Sequence, residues 1–267
     1  TNMNKNENLQ TFSISKSMSY NTMPKTERFI HCHRGIHLLV WLDIKKQLST
    51  TACLCPSEYY GDRCQYQNQR VIFHVAFDTS YNHYSTFFLV SISLIDDSSE
   101  RIKHSRQQFT LIKTSNCDFI YSLKFFYSRR PKDERKSYFI HVDIYERISL
   151  NYRVSYLFPI DFPFLPVNLI TKVIITPQND IKIKYCSNRY CHYHGKCIFY
   201  WNNSAEITFC QCDRGWSGKY CTIQHQCMCS SDSLYMGVSD QNRSICLCPI
   251  DRLGLRCLIN DRICSTN

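Results

Sequence analysis

Glycine is scarce in this chain, with seven in 267 residues. Loops that cradle phosphate need glycine where backbone closes on the anion, and no glycine-rich loop precedes a predicted helix here. No Gly-x-Ser-x-Gly elbow occurs either, so the serines, histidines and aspartates come without the turn that exposes a hydrolase nucleophile. A convincing helical period is missing. So is any apolar run approaching the roughly 18 residues of a membrane-spanning helix. The longest such run, Phe87 to Ile95, contains serines and is strand-sized. Structural zinc sites are built on Cys-x2–4-Cys spacings, whereas the spacing that recurs here is Cys-x-Cys. This holds although His31-Cys32-His33 and Cys191-His192-Tyr193-His194 bring thiol and imidazole close together. The chain starts at Thr1 without a charged-then-apolar leader. These absences argue against an enzyme, and no cofactor or metal is expected.

What the chain has in quantity is cysteine, 17 residues, and aromatic side chains, 14%. The cysteines crowd residues 32–64 and 186–264, and the roughly 120 residues between hold only Cys117. Domains too small to bury a sufficient core need disulfides, and larger ones do not. The expected plan is therefore small stapled modules flanking one ordinary globular domain. Disulfides persist in oxidising compartments, so an extracellular or cell-surface location follows from them. The finish at Cys264-Ser265-Thr266-Asn267 suggests a piece of a longer extracellular chain.

Residues 1–28 are rich in Asn, Ser, Thr and Lys and read as a linker or disordered lead-in. Residues 67–182 alternate short apolar runs with polar breaks. Val71, Phe73, Val75 and Phe77 repeat every second residue, as a half-buried strand requires. Tyr138, Ile140, Val142 and Ile144 do the same, alternating with Phe139, His141, Asp143 and Tyr145. Phe87–Ile95, Phe119–Tyr127, Tyr152–Phe158 and Leu169–Ile175 are further strand candidates. Breaks at Asp96-Asp97-Ser98-Ser99 and at Pro159-Ile160-Asp161-Phe162-Pro163 separate them. Strands of this length and number predict an all-β protein whose centre is an antiparallel β-sandwich or jelly roll.

The pattern Cys-x-Cys-x8-Cys occurs three times, ending at Cys64, Cys221 and Cys257, each time with glycine three residues before the last cysteine. Repetition of this kind marks repeated units. Residues i and i+2 of a strand face the same side, so Cys210 and Cys212 can project two sulfurs onto one face. The most complete frame is Cys186-x4-Cys191-x5-Cys197-x12-Cys210-x-Cys212-x8-Cys221. Its six cysteines alone allow 15 connectivities.

This frame, with Cys212-Asp213-Arg214-Gly215-Trp216-Ser217-Gly218-Lys219-Tyr220-Cys221 at its end, resembles the epidermal growth factor-like (EGF-like) module. The resemblance implies a complete module at 183–222, a partial one at 29–66 with four cysteines, and an atypical one at 223–264. It further implies the pairs Cys186–Cys197, Cys191–Cys210 and Cys212–Cys221. For the first unit it implies Cys32–Cys53 and Cys55–Cys64, and for the last Cys229–Cys246 and Cys248–Cys257, with Cys227 competing for the place of Cys229. Cys117, Cys227 and Cys264 are left over. Calcium-binding members of the family carry acidic or amide residues before the first cysteine. Here that stretch is Ile181-Lys182-Ile183-Lys184-Tyr185, so no calcium is expected.

A formal charge of +10 raises the question of a polyanion partner. One cluster qualifies, comprising Arg129, Arg130, Lys132, Arg135 and Lys136. It reads as a solvated loop between strands or as a contact for sulfated glycan or an acidic membrane surface; nucleic acid does not fit an oxidising compartment. The sequons at Asn202 and Asn242 fall in loops expected to be exposed and are candidate glycosylation sites. The expected function is recognition or adhesion within a multi-module extracellular protein, with stapled modules as spacers and the β domain offering the contact surface. The partner is an extracellular protein or glycan, and membrane attachment comes only through an anchor elsewhere in the parent. The alternative is a secreted ligand that activates a growth-factor-type receptor through its complete module.

Overall fold

A computed structural model describes residues 31–43, 48–78, 87–112, 119–175, 183–202 and 207–260. The lead-in 1–28, Cys117 and Cys264 lie outside the described residues. Within them the protein is nearly all β and rich in disulfides, with one 3-10 turn at Asn188–Cys191 and no α-helix. The first unit is a hairpin of β1 (Ile36–Asp43) and β2 (Leu48–Leu54), followed by a miniature hairpin of β3 (Tyr59–Tyr60) and β4 (Tyr66–Gln67).

Seven longer strands form the centre: β5 (Arg70–Asp78), β6 (Phe88–Asp96), β7 (Lys103–Leu111), β8 (Ile120–Phe126), β9 (Tyr138–Glu146), β10 (Tyr152–Pro159) and β11 (Val167–Ile175). They make two sheets, ordered β10-β9-β6-β7 and β11-β5-β8. Strict alternation in β5 sends Val71, Phe73, Val75 and Phe77 inward. There they share one apolar core with Val90, Ile92 and Leu94 of β6, Ile140, Val142 and Ile144 of β9, and Phe158 of β10. Burying a side chain of this size contributes about 1.5–3 kcal/mol, so this layer supplies most of the central stability.

The expectation of a purely antiparallel arrangement needs correcting. β11 runs parallel to β5, with Val167 opposite Arg70 and Ile175 opposite Asp78. The reason is the crossing after β10. Residues 160–166 carry the chain from the edge of one sheet to the edge of the other, and β11 starts at the end where β5 starts. Parallel neighbours require such a crossover rather than a tight turn.

Two further cysteine-rich units follow. One contains β12 (Gly195–Phe199), β13 (Thr208–Cys212), β14 (Trp216–Ser217) and β15 (Ile223–Gln224). The other contains β16 (Leu234–Val238), β17 (Ser244–Leu247), β18 (Arg252–Leu253) and β19 (Ile259–Asn260). These units are not spacers, contrary to the expectation from sequence. Every residue of β6 is buried, and so is nearly every residue of β9, which a sheet covered on one face cannot achieve. The second cover is the cysteine-rich pair. Ile198, Tyr200 and Phe209 pack on Ile95 and Leu157, while Leu247 packs on Leu89 and Tyr145. The edge strand β10 is capped as well, since Trp201 N donates to Ser155 O at 2.9 Å. Covering an edge in this way blocks its pairing with another chain.

Candidate functional site

Seven disulfides are closed among the described residues: Cys32–Cys53, Cys55–Cys64, Cys186–Cys197, Cys191–Cys210, Cys212–Cys221, Cys229–Cys246 and Cys248–Cys257. They couple the same cysteines that the EGF-like resemblance pairs. Each loop closure is worth roughly 2–4 kcal/mol. The three repeated ends share one backbone geometry. Gly61, Gly218 and Gly254 have φ of 96°, 90° and 85°, and Cys64, Cys221 and Cys257 follow at 56°, 56° and 58°. In each, the last cysteine N–H donates to that glycine carbonyl, at 3.0, 3.4 and 3.1 Å. A left-handed turn is what glycine supplies without strain, which explains its fixed place in the repeat. Cys227 is a half-buried free thiol, and Cys229 has the disulfide partner. Cys32, His37 and Cys53 lie within metal-ligand distance of one another, but the two sulfurs are bonded to each other and His37 Nε2 accepts from Cys32 N at 3.2 Å.

Between the four-stranded sheet and the cysteine-rich units lies a buried polar junction. Alternation along β9 turns His141 and Asp143 away from the core, and Ser155 of β10 stands opposite Asp143. His141 Nε2 and Asp143 Oδ1 are 2.5 Å apart, and Ser155 Oγ donates to the same oxygen while accepting from Tyr152 OH at 3.0 Å. At the other edge of the ring, Arg101 Nη2 lies 3.0 Å from His141 Nδ1, and Tyr200 OH is equally close. An arginine only donates, so Nδ1 is the acceptor and the proton sits on Nε2 toward Asp143. Burial pushes the His141 pKa down, and Arg101 and Lys103 add to this against the pull of Asp143. Burial alone would raise the Asp143 pKa, yet His141, Lys103 and Ser155 together hold it below the ordinary carboxylate value. The result is a neutral imidazole beside an ionised carboxylate.

Lys103 adds a half-buried cation. Its Nζ donates to Met236 O of β16 at 2.5 Å, and burial, only partly offset by Asp143, pulls its pKa down to about 8. Gln211 Nε2 reaches Tyr145 OH at 3.4 Å, and Tyr145 OH lies 3.2 Å from Met236 Sδ. Serine, histidine and aspartate thus meet, but not as a nucleophile with its base. Ser155 is fully buried, and its hydroxyl donates to the same carboxylate oxygen that His141 Nε2 meets, so the serine is bonded to the acid and not to the imidazole. The cavity at this junction, lined by Lys103, His141, Asp143, Tyr145, Gln211 and Tyr235, encloses about 60 Å³. That suits on the order of a few water molecules, not a drug-sized ligand. Reading β9 as one-sided leaves His141 and Asp143 facing solvent, so sequence alone does not reveal the junction.

The basic cluster divides. Lys132 is buried, with its ammonium donating to Leu165 O at 2.6 Å and lying 4.7 Å from the Tyr127 ring centre. Lys136 is bound to buried Asp96 at 2.6 Å. Neither is offered to a polyanion, which corrects the expectation for these two. Their aliphatic stems and charges complete the structure beneath the loop instead. Arg135 is exposed but chelated by Asp133, while Arg129 and Arg130 are exposed. The sequons differ too. Asn242 sits on an exposed turn. The Asn202 amide is held by Leu157, with Oδ1 accepting from its N at 3.0 Å and Nδ2 donating to its O at 2.9 Å. Ser204 of that sequon lies outside the described residues.

Fold and site together define a disulfide-rich, nearly all-β protein without a described helix able to cross a membrane. No family model and no curated protein matches the chain. Among solved structures, an alternative pilotin from the type II secretion system of Vibrio cholerae is 14% identical, with 42% of this chain and 98% of that chain covered. At a TM-score of 0.31 that likeness carries no argument.

Proposed function

We propose that this chain is an extracellular recognition or adhesion segment of a multi-module receptor or matrix-type protein, acting by binding and not by catalysis. In this reading residues 29–66, 183–222 and 223–264 are EGF-like units and the two central sheets form a β-sandwich. One observation carries it: the repeated disulfide-closed units are fastened onto a sheet whose second face they bury. Seven disulfides suit an oxidising extracellular setting. A rigid composite of this kind presents a fixed surface at low conformational cost, as recognition by an extracellular protein or glycan requires.

The alternative, a soluble ligand acting through unit 183–222, is less well supported. That unit commits Ile198, Tyr200 and Phe209 to the sheet, which removes them from any receptor. Cell attachment to surfaces coated with the oxidised chain tests the proposal. Attachment that disappears after reduction and alkylation is the expected result. Equal attachment to the reduced chain overturns it, and receptor phosphorylation by 183–222 alone favours the ligand reading.

A further inference from the structure

One end of the three-stranded sheet carries a surface that neither the core nor the cysteine-rich units explain. It is the end where β5 and β11 begin, at Arg70 opposite Val167, and where β8 finishes opposite Arg70 at Phe126. The crossing loop here reads Pro159-Ile160-Asp161-Phe162-Pro163-Phe164-Leu165-Pro166. Three prolines fix much of its backbone. Ile160 is buried and its N–H donates to Tyr138 O at 3.0 Å, so the loop is anchored at its root. Phe162 and Phe164 nonetheless stand 56% and 61% exposed, with Leu165 beside them. The two rings meet edge to face at 6.1 Å and stand largely in solvent.

The adjoining loop is basic and is tied to the aromatic one. Lys132 Nζ bonds Leu165 O at 2.6 Å, and Lys132 N donates to Gln69 Oε1 at 2.8 Å. The loop that carries exposed Arg129 and Arg130 is thereby fastened to the loop that carries the two phenylalanines. Arg130 lies 4.9 Å over the Tyr60 ring, which contacts exposed Tyr66 at 5.3 Å. Two exposed acids lie in these loops, Asp161 in the aromatic one and Glu134 in the basic one, while Asp133 is paired with Arg135. Rigid aromatic tips bordered by arginines match the boundary of an anionic bilayer. There rings settle among the headgroups while guanidinium groups meet lipid phosphates. A folded acidic partner would have to supply a pocket for each projecting ring, whereas a fluid surface closes around them.

We infer that this end of the molecule is a docking surface for an anionic lipid bilayer, with Phe162 and Phe164 as inserting side chains and Arg129 and Arg130 as phosphate contacts. It would add to any anchor elsewhere in the parent, and it stands whether or not the cysteine-rich units are EGF-like.

Flotation of the whole oxidised chain with phosphatidylcholine vesicles, with and without phosphatidylserine, tests this. Binding is expected only with phosphatidylserine. Phe162→Ser with Phe164→Ser should weaken it about tenfold or more, as loss of two buried rings implies. Arg129→Gln with Arg130→Gln should abolish the preference for phosphatidylserine. All four side chains are exposed, so the melting temperatures of both variants should match the parent. Absence of vesicle binding, binding indifferent to the phenylalanines, or retention on heparin alone would overturn the inference.

Discussion

Asn202 makes both hydrogen bonds to Leu157 that a neighbouring strand would make, so a single side chain extends the sheet beyond its edge strand. This bidentate pairing needs the amide hydrogen on the same side as Oδ1. A sugar on Nδ2 forms a secondary amide, and such amides hold their substituent trans across the C–N bond, in the place of that hydrogen. Glycosylation and the clasp therefore exclude each other. Glycopeptide mapping of secreted material should find sugar on the Asn242 peptide and none on that of Asn202. Asn202→Ala should cost about 1–3 kcal/mol, since the Leu157 N–H and C=O lose their partners. Full occupancy of Asn202 in protein of unchanged stability would refute the clasp.

Gly218 sets the contact between the second cysteine-rich unit and the β6–β7 turn. Its φ is +90°, and a Cβ there would lie 3.2 Å from Ser99 O, the carbonyl that also accepts from Lys219 N at 2.8 Å. Gly218→Ala combines left-handed strain with a crowded oxygen. A destabilisation of roughly 1–3 kcal/mol is expected in thermal melts. Gly254→Ala is the control: the repeat geometry is the same, but the nearest atom is the flexible Ile259 Cδ1 at 3.3 Å. It should cost less.

Sequence patterns disclosed much of the fold and little of the junction. β5 and β9 were legible because apolar residues recur at every second position. β7, Lys-His-Ser-Arg-Gln-Gln-Phe-Thr-Leu, was not. It is an edge strand whose polar side chains meet the last cysteine-rich unit, as where Arg106 Nη2 reaches Cys246 O at 3.5 Å. Alternation reports which residues share a face and is silent on what covers the second face. The docking of the units was thus invisible, and with it the roles of His141, Asp143 and Lys103. Spacing within 129–136 likewise could not distinguish buried Lys132 from exposed Arg129.

The junction should respond to acid. His141 is held below its ordinary 6.5 in the folded state. Between that folded value and 6.5 the unfolded chain binds more protons, so stability falls as pH drops through this window. One proton corresponds to a slope of up to about 1.4 kcal/mol per pH unit. Asp96 and Asp143 are both held below 3.8 and contribute stability that is lost as pH falls further, through their folded values. Denaturant melts of the wild type should weaken below pH 6.5, and His141→Gln should flatten that part of the profile. An unchanged profile in the variant would mean that His141 is not the group titrating.

Removing the cysteine-rich cover should expose apolar surface on the sheet. Residues 67–182 produced alone would present Leu89, Ile95, Tyr145 and Leu157 to water. Such a patch favours association. The isolated segment should bind a hydrophobic dye strongly and self-associate, while the whole chain does neither. A monomeric, non-binding segment would show that the units rest on the sheet without protecting it.

Peptide mapping under non-reducing conditions, with free thiols alkylated first, bears most directly on an account in which oxidised units are clamped to a β scaffold. Cys212 should be recovered linked to Cys221, Cys229 to Cys246 and Cys55 to Cys64, with Cys227 alkylated. Recovery of Cys212 with any other partner, or of most cysteines as free thiols, would contradict it.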